Sequence, residues 1–141
     1  MSKKKTVMIV DAQGGGLGRQ LISCIRKEGI DVRIIAVGTN SIAASAMLKA
    51  GADEVATGEN SVRVAGRQAD IIIGPVGIVI ADSMLGEITP GIALSIAQAS
   101  AKRILIPFSN CDNYIAGASG LSIGKLITAA VDQLKTTLAD E

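Results

Sequence analysis

The sequence predicts a three-layer α/β fold with a doubly wound, mainly parallel sheet. Three observations lead there. Short β-branched runs alternate with longer stretches at helical spacing, the pattern of repeated βαβ units. Glycines crowd the exit of the first apolar run, where such folds turn from strand into helix. Apolar residues make up 48% of the 141 positions and charged residues 19%, a balance that builds a folded core without disulfide or metal staples. A chain of this length suits one domain, and no internal repeat, low-complexity tract or linker divides it.

The elements follow in order. Residues 6–11 (TVMIVD) read as the first strand. After the glycine loop, 17–28 read as a helix, with Leu17, Leu21, Cys24 and Ile25 on one face and Gly29 as its stop. Residues 32–37 (VRIIAV) form the second strand, and Ser41 is the expected N-cap of a small-residue helix over 42–50. That helix is apolar on all sides, which predicts deep burial. A short third strand is placed at 54–56. The stretch 60–69 reads both ways, with the connection to the next strand favouring a helix. Residues 70–73 (DIII) are a buried strand ending at Gly74-Pro75, and 77–85 are expected to form a short apolar helix. Thr89 caps the next helix with Pro90 at its first position, and that helix runs to about 101. Residues 103–108 (RILIPF) are a strand whose Pro107 suits an edge or an end. A closing amphipathic helix spans 122–138, with Ile123, Leu126, Ile127, Ala130 and Leu134 inward.

Composition excludes much chemistry. With no histidine, Ser-His and Cys-His nucleophiles, an imidazole base and His-ligated zinc are all out. Two cysteines, Cys24 and Cys111, are too few for a four-thiolate site in one chain. Cys111 has no visible base to activate it and reads as an inert thiol, and Cys24 reads as core. Net charge is +1, the only basic cluster is Lys3, Lys4 and Lys5, and the aromatic residues are Phe108 and Tyr114. Nucleic acid and membrane are therefore not expected partners. The longest apolar stretch, 71–81, is broken by Gly74, Pro75 and Gly77. A start without a secretion-type apolar stretch and the low cysteine count point to the cytoplasm. The mean hydropathy of +0.43 favours a homo-oligomer, with 78–85 as the expected interface.

The strongest motif is Asp11-Ala12-Gln13-Gly14-Gly15-Gly16-Leu17-Gly18-Arg19, with Gln13, Gly14, Gly15, Gly16, Leu17 and Gly18 as the expected ligand-binding part. Glycines let a backbone approach a ligand, and a helix start offers free N–H groups and a positive dipole end. The spacing departs from G-x-G-x-x-G, since the last glycine arrives one position early. Against a phosphate loop of the K-G-G-x-G-K-[ST] kind, Arg19 and Gln20 stand where lysine and a magnesium-binding hydroxyl would be. An NTPase is disfavoured; nucleotide binding is not. At the second strand's exit, Gly38, Thr39 and Asn40 are neutral where NAD sites carry a carboxylate, a lean toward NADP. A helix-capping role for the same residues is an equal alternative. Gly74, Pro75 and Gly77 reach the same rim and leave room for a ring, or simply make a sharp exit turn. Asp82 and Glu87 are the carboxylates best placed to face a pocket. Arg33 lies too early in its strand to clamp a phosphate. Tyr114 lacks the lysine of a Tyr-x-x-x-Lys pair, position 118 being Ala.

Several segments together resemble a known family: IVDAQGGGLGRQL (9–21), VGTNSIAASAMLKAGAD (37–53), ATGENSV (56–62), DIIIGPVGIVIADSMLGEITP (70–90) and KRILIPFSNC (102–111). It is a family of small proteins of anaerobic Gram-positive bacteria, described as a domain of unknown function with Rossmann-like dehydrogenase character. The resemblance spans nearly the whole chain. It implies a Rossmann-like fold and carries no established reaction. The expected function is binding of a nucleotide or dinucleotide, as in an NAD- or NADP-dependent oxidoreductase. The alternative is a non-catalytic sensing module for a phosphorylated small molecule. A structural oligomer with a vestigial loop is a third reading, opposed by the density of rim glycines.

Overall fold

The computed structural model describes residues 4–108 and 113–140. Five strands, β1 (Thr6–Asp11), β2 (Arg33–Gly38), β3 (Glu54–Thr57), β4 (Ile71–Pro75) and β5 (Lys102–Ile106), form one sheet in the order β3-β2-β1-β4-β5. Every pairing is parallel. Helices α1 (Gly16–Lys27), α2 (Ser41–Ala50), α3 (Glu59–Gln68), α4 (Pro90–Gln98) and α5 (Ile123–Ala139) cover both faces. The expected three-layer Rossmann-like architecture is present.

The central strand β1 is buried at every position. Its side chains alternate between two cores, as a strand's period of two requires. Val7 and Ile9 pack with Leu21, Ile22, Met47 and Leu134 under α1, α2 and α5. Met8 and Val10 pack with Val62, Ile92 and Ile96 under α3 and α4. With both faces covered, the strand has no polar side to show, which is why residues 7–10 are continuously apolar. The chain leaves β1 toward β2 and β3, then α3 carries it back across to β4. Strand order therefore reverses between β1 and β4, and the crevice above their C-terminal ends is the topological switch point.

Several boundaries differ from expectation. Asn40, not Ser41, caps α2, its side chain accepting from the Ala43 amide. The same helix is buried on one face only: Ile42 is 69% exposed. Cys24 is half-buried rather than core. Helix α4 stops at Gln98, because Ala99 is already extended. Strand β5 ends before Pro107, at an edge of the sheet. The ambiguous stretch 60–69 is helical as far as Gln68, as the crossover demands, and Ala69 is extended.

The apolar helix expected over 77–85 is absent. A single 3₁₀ turn, Val76–Val79, is followed by turns that place Asp82, Met84 and Leu85 at positive φ. Ser83 donates its hydroxyl to the Gly77 carbonyl at 2.6 Å, and the Ile80 amide takes the same carbonyl. These short-range bonds replace the i→i−4 ladder a helix would need. Ile78 and Ile88 are fully buried at the two ends of this loop. The expected interface segment thus turns Ile78 into the protein's own core and leaves Leu85, 98% exposed, at the tip.

Gly74 lets the 3₁₀ turn and the sheet approach each other closely. A Cβ there would lie 2.5 Å from the Val10 carbonyl oxygen and 2.9 Å from Ile78 Cδ1. Gly74→Ala should lower stability by about 1–3 kcal/mol, the usual range for overpacking. Chemical denaturation should show an earlier midpoint with an unchanged slope; a midpoint equal to wild type would contradict the close approach.

Candidate ligand site at the glycine-rich loop

The loop between β1 and α1 is built by two glycines of one kind and opened by two of another. Gly15 has φ 73° and occupies the N-cap of α1 without any side-chain cap. Its amide closes a turn on the Ala12 carbonyl at 3.0 Å, and a Cβ would fall 2.8 Å from Ala43 Cα. A Cβ at Gly18 would fall 2.6 Å from Met47 Sδ and 3.2 Å from Asp11 Oδ2. Both glycines are therefore demanded by the fold. Gly14 and Gly16 are not: neither has φ in the left-handed range, and a Cβ at either would meet nothing within 4 Å.

Asp11, the last residue of β1, does the capping that Gly15 cannot. One carboxylate oxygen accepts the Ala12 amide at 2.8 Å and the other the Gly18 amide at 2.7 Å. The side chain is 5% exposed. Burial pushes its pKa above the ordinary carboxylate value; the two amide bonds pull against that, and the charge of Glu87 adds to the rise. The sequence places Asp11 at the end of the strand and the head of the glycine motif, without a capping role. The missing Ser, Thr, Asp or Asn at the N-cap position was the available signal.

The amides of Gly14, Gly16 and Leu17 have no hydrogen-bond partner among the described residues. They border a cleft of about 580 Å³ that straddles the switch point. Gln13 through Leu17, with Asp11 and Gln20, make one wall. Pro75 at the end of β4, Asp82–Leu85, Phe108, Asn113 and the α5 start at Ile123 make the rest. Described residues of the wall include no Lys or Arg; Arg19 is exposed outside it. Every described non-glycine residue at positive φ, namely Gln13, Asp82, Met84 and Leu85, belongs to this wall. Such strained conformations gather where a surface is shaped for a ligand.

The other predicted rim residues lie elsewhere. Gly38 packs on α2, where a Cβ would be 2.7 Å from the Ala44 nitrogen. Thr39 and Asn40 face Glu87. One Glu87 oxygen accepts the Thr39 hydroxyl at 2.6 Å, the Gln13 amide at 2.8 Å and the Asn40 side-chain amide at 3.1 Å. Asn40 also donates to the Gln13 carbonyl at 3.0 Å. The neutral exit of β2 thus receives a carboxylate from the loop after β4. Gly74 and Gly77 support the turn beneath the cleft, and only Pro75 of that trio lines it. Asp82 faces the cleft as expected, and Glu87 clasps its rim. Gln20, Ser83, Met84, Leu85, Phe108, Asn113 and Ile123 were not foreseen. Gln20 was findable, one helical turn beyond Gly16. Arg33 pairs with Glu54, and Tyr114 is exposed away from the cleft. Cys111, with its neighbours Asn110 and Asp112, lies outside the described residues.

Among the described residues, no group of three or more His, Cys, Asp or Glu side chains is gathered as a metal site would need. No described helix is long and apolar enough to cross a membrane. A family model described as a domain of unknown function (DUF3842) matches residues 6–139. No curated protein matches the chain.

Burial raises the Glu87 pKa, but its bonds to Thr39, Gln13 and Asn40 outweigh that and leave it below the ordinary 4.5. A lowered carboxylate stabilises the fold fully above its unfolded-state value and loses that contribution as pH falls through its folded-state value. Asp11 has the opposite sign, its charged form weakening the fold as pH rises above 3.8. Thermal melts of wild type and Glu87→Gln should therefore differ most near neutral pH. The difference should shrink as pH drops below about 4.5. A difference that stays constant to the acid limit would show that the Glu87 charge carries none of it.

Proposed function

The chain belongs to the DUF3842 family, a domain of unknown function, and from the site itself we propose that it binds a phosphate-bearing small molecule of nucleotide class at the glycine-rich loop. One observation carries this reading. Gly14 and Gly16 border the cleft, yet neither φ nor packing requires glycine at either place. Replacing glycine by alanine at such a position usually gains about 0.4–1 kcal/mol. The bare backbone forgoes that gain, and it leaves open space where each side chain would stand, beside amides that have no partner among the described residues. Gly124, beside the cleft-lining Ile123 in the first turn of α5, is glycine under the same conditions.

The binding mode follows from the chemistry of the wall. Phosphate oxygens accept from the amides of Gly14, Gly16 and Leu17, and the N-terminal dipole of α1 favours their charge. Neutral donors do this without a basic side chain. The body of the ligand rests against Pro75, Met84, Leu85 and Phe108, which supply apolar surface as ligand clefts do. Asp11 keeps Gly18 and Ala12 occupied, so the anion meets only the amides that are free.

A second reading is an oxidoreductase using NAD or NADP. The strand order and the position of the glycine loop at the switch point favour it. It predicts a change in reduced-nicotinamide absorbance when the protein meets its substrate. Self-association is also proposed, supported by Leu85 exposed at the tip of the rim loop. Native mass spectrometry of freshly purified protein reads assembly and retained ligand together.

Thermal shift with ADP, ATP, FMN, NAD, NADP, coenzyme A and S-adenosylmethionine tests the main reading. A ligand at a hundredfold excess over Kd stabilises the native state by about 2.7 kcal/mol. No shift with any compound would leave the loop as a turn and nothing more. Gly16→Val should abolish the shift while changing the stability of the free protein by less than about 1 kcal/mol. Binding that survives this substitution would contradict the site.

A further inference from the structure

We infer that Glu87 reads the ribose of the bound nucleotide: its carboxylate accepts a hydrogen bond from a ribose 2′-hydroxyl lying at the exit of β2, so that the site prefers NAD to NADP. The inference rests on the phosphate site proposed above. A nucleotide held by its phosphates at a switch point sets a ribose against the end of the second strand, and sites for an unphosphorylated ribose carry an Asp or Glu there. This chain has Gly38, Thr39 and Asn40 instead. A carboxylate nevertheless stands at that place, delivered by the loop after β4.

Thr39 follows β2 directly, and its amide donates to the Asp11 carbonyl at 3.1 Å, which sets it beside the end of β1. Its hydroxyl, the Asn40 side chain and the Gln13 amide all donate to Glu87 Oε1. Gln13 itself lines the cleft, so the carboxylate is bonded to a residue of the phosphate-site wall. Because the three bonds converge on Oε1, Oε2 has no donor among the described residues, and Glu87 is partly exposed. A carboxylate accepts through both oxygens. One oxygen of Glu87 therefore anchors the side chain, and the other keeps the capacity a hydroxyl needs.

The loop that carries Glu87 is closed on itself. The Asp82 amide donates to the Ile88 carbonyl at 2.7 Å, the Ile88 amide to the Ser83 carbonyl at 3.3 Å, and Ile88 is fully buried. The acceptor is thus positioned before a ligand arrives, which spares ordering entropy on binding. A glutamate is charged at neutral pH, so a 2′-phosphate would meet a like charge. Described residues of the cleft wall include no Lys or Arg to offset it. The neutral exit of β2, read alone, leans toward NADP; with Glu87 bonded to that exit, the lean reverses.

Calorimetric titration of the whole chain with NAD and with NADP, in wild type and Glu87→Gln, tests this. Wild type should bind NAD at least about tenfold more tightly than NADP, a gap of about 1.4 kcal/mol. Glu87→Gln keeps a carbonyl oxygen for Thr39, Asn40 and Gln13 but puts a donor amide where the other oxygen stood. It should weaken NAD, strengthen NADP and shrink the gap to within about threefold. A purely structural clasp would instead weaken both ligands together and leave the gap unchanged. The variant's folding is checked by its melt, and the wild-type comparison needs no variant. Equal binding of the two compounds to wild type, or a gap that survives Glu87→Gln, would overturn the role of Glu87 and leave the phosphate site standing. If neither compound binds while another of the thermal-shift panel does, this inference fails and the phosphate site stands. If none binds, both fail.

Discussion

Helix α1 has no side-chain cap from its own N-cap residue, Gly15, and the way its first amides are satisfied organises the rim. An uncapped helix start leaves polar groups that must find partners or water. The Arg19 amide bonds to Gly15 within the first turn, and Gly18 is taken by the Asp11 carboxylate. Gly16 and Leu17 remain, joined by Gly14 in the loop. Asp11 can reach Gly18 only because Gly18 has no side chain, and α2 can approach only because Gly15 has none. The same backbone economy that packs β1, α1 and α2 together leaves three amides without a partner among the described residues, all on residues that line the cleft. Fold and candidate site share a single structural cause.

Much of the architecture was legible because it depends on local signals. β1 has the same bounds in sequence and structure, since five consecutive residues of apolar or β-branched character, 6–10, need both faces covered. Thr89 and Pro90 announced the start of α4, where Thr89 accepts the Ile92 amide at 3.1 Å. Gly29 marked the end of α1, and it has positive φ. The stretch 77–85 misled because its apolarity comes from anchoring a loop, with Ile78 buried in the core, and not from a helical face. Helix α2 misled for a related reason: alanines fit both a buried and an exposed face, so composition could not show that Ile42 points outward.

The site divided along the same line. Its backbone part, Gln13 to Leu17, could be read from glycine spacing, because the requirement for bare backbone is written into residue type. Its side-chain part was hidden by distance along the chain. Glu87 meets Thr39 across 48 positions, and nothing local in either segment announces the partnership. Thr39 and Asn40 looked like neutral ligand groups in isolation; their neutrality is what allows them to donate to a carboxylate. Phe108 and Ile123 join the cleft only because β5 and the start of α5 converge on the same rim.

Function at this rim turns on whether the unpartnered amides of the loop receive an anion. Backbone amide resonances under titration with ADP report on this directly. Saturable shifts should centre on Gly14, Gly16 and Leu17, with Gly18 moving little because Asp11 already holds it. A spectrum in which those three signals stay fixed at ligand concentrations that move other residues would contradict the account.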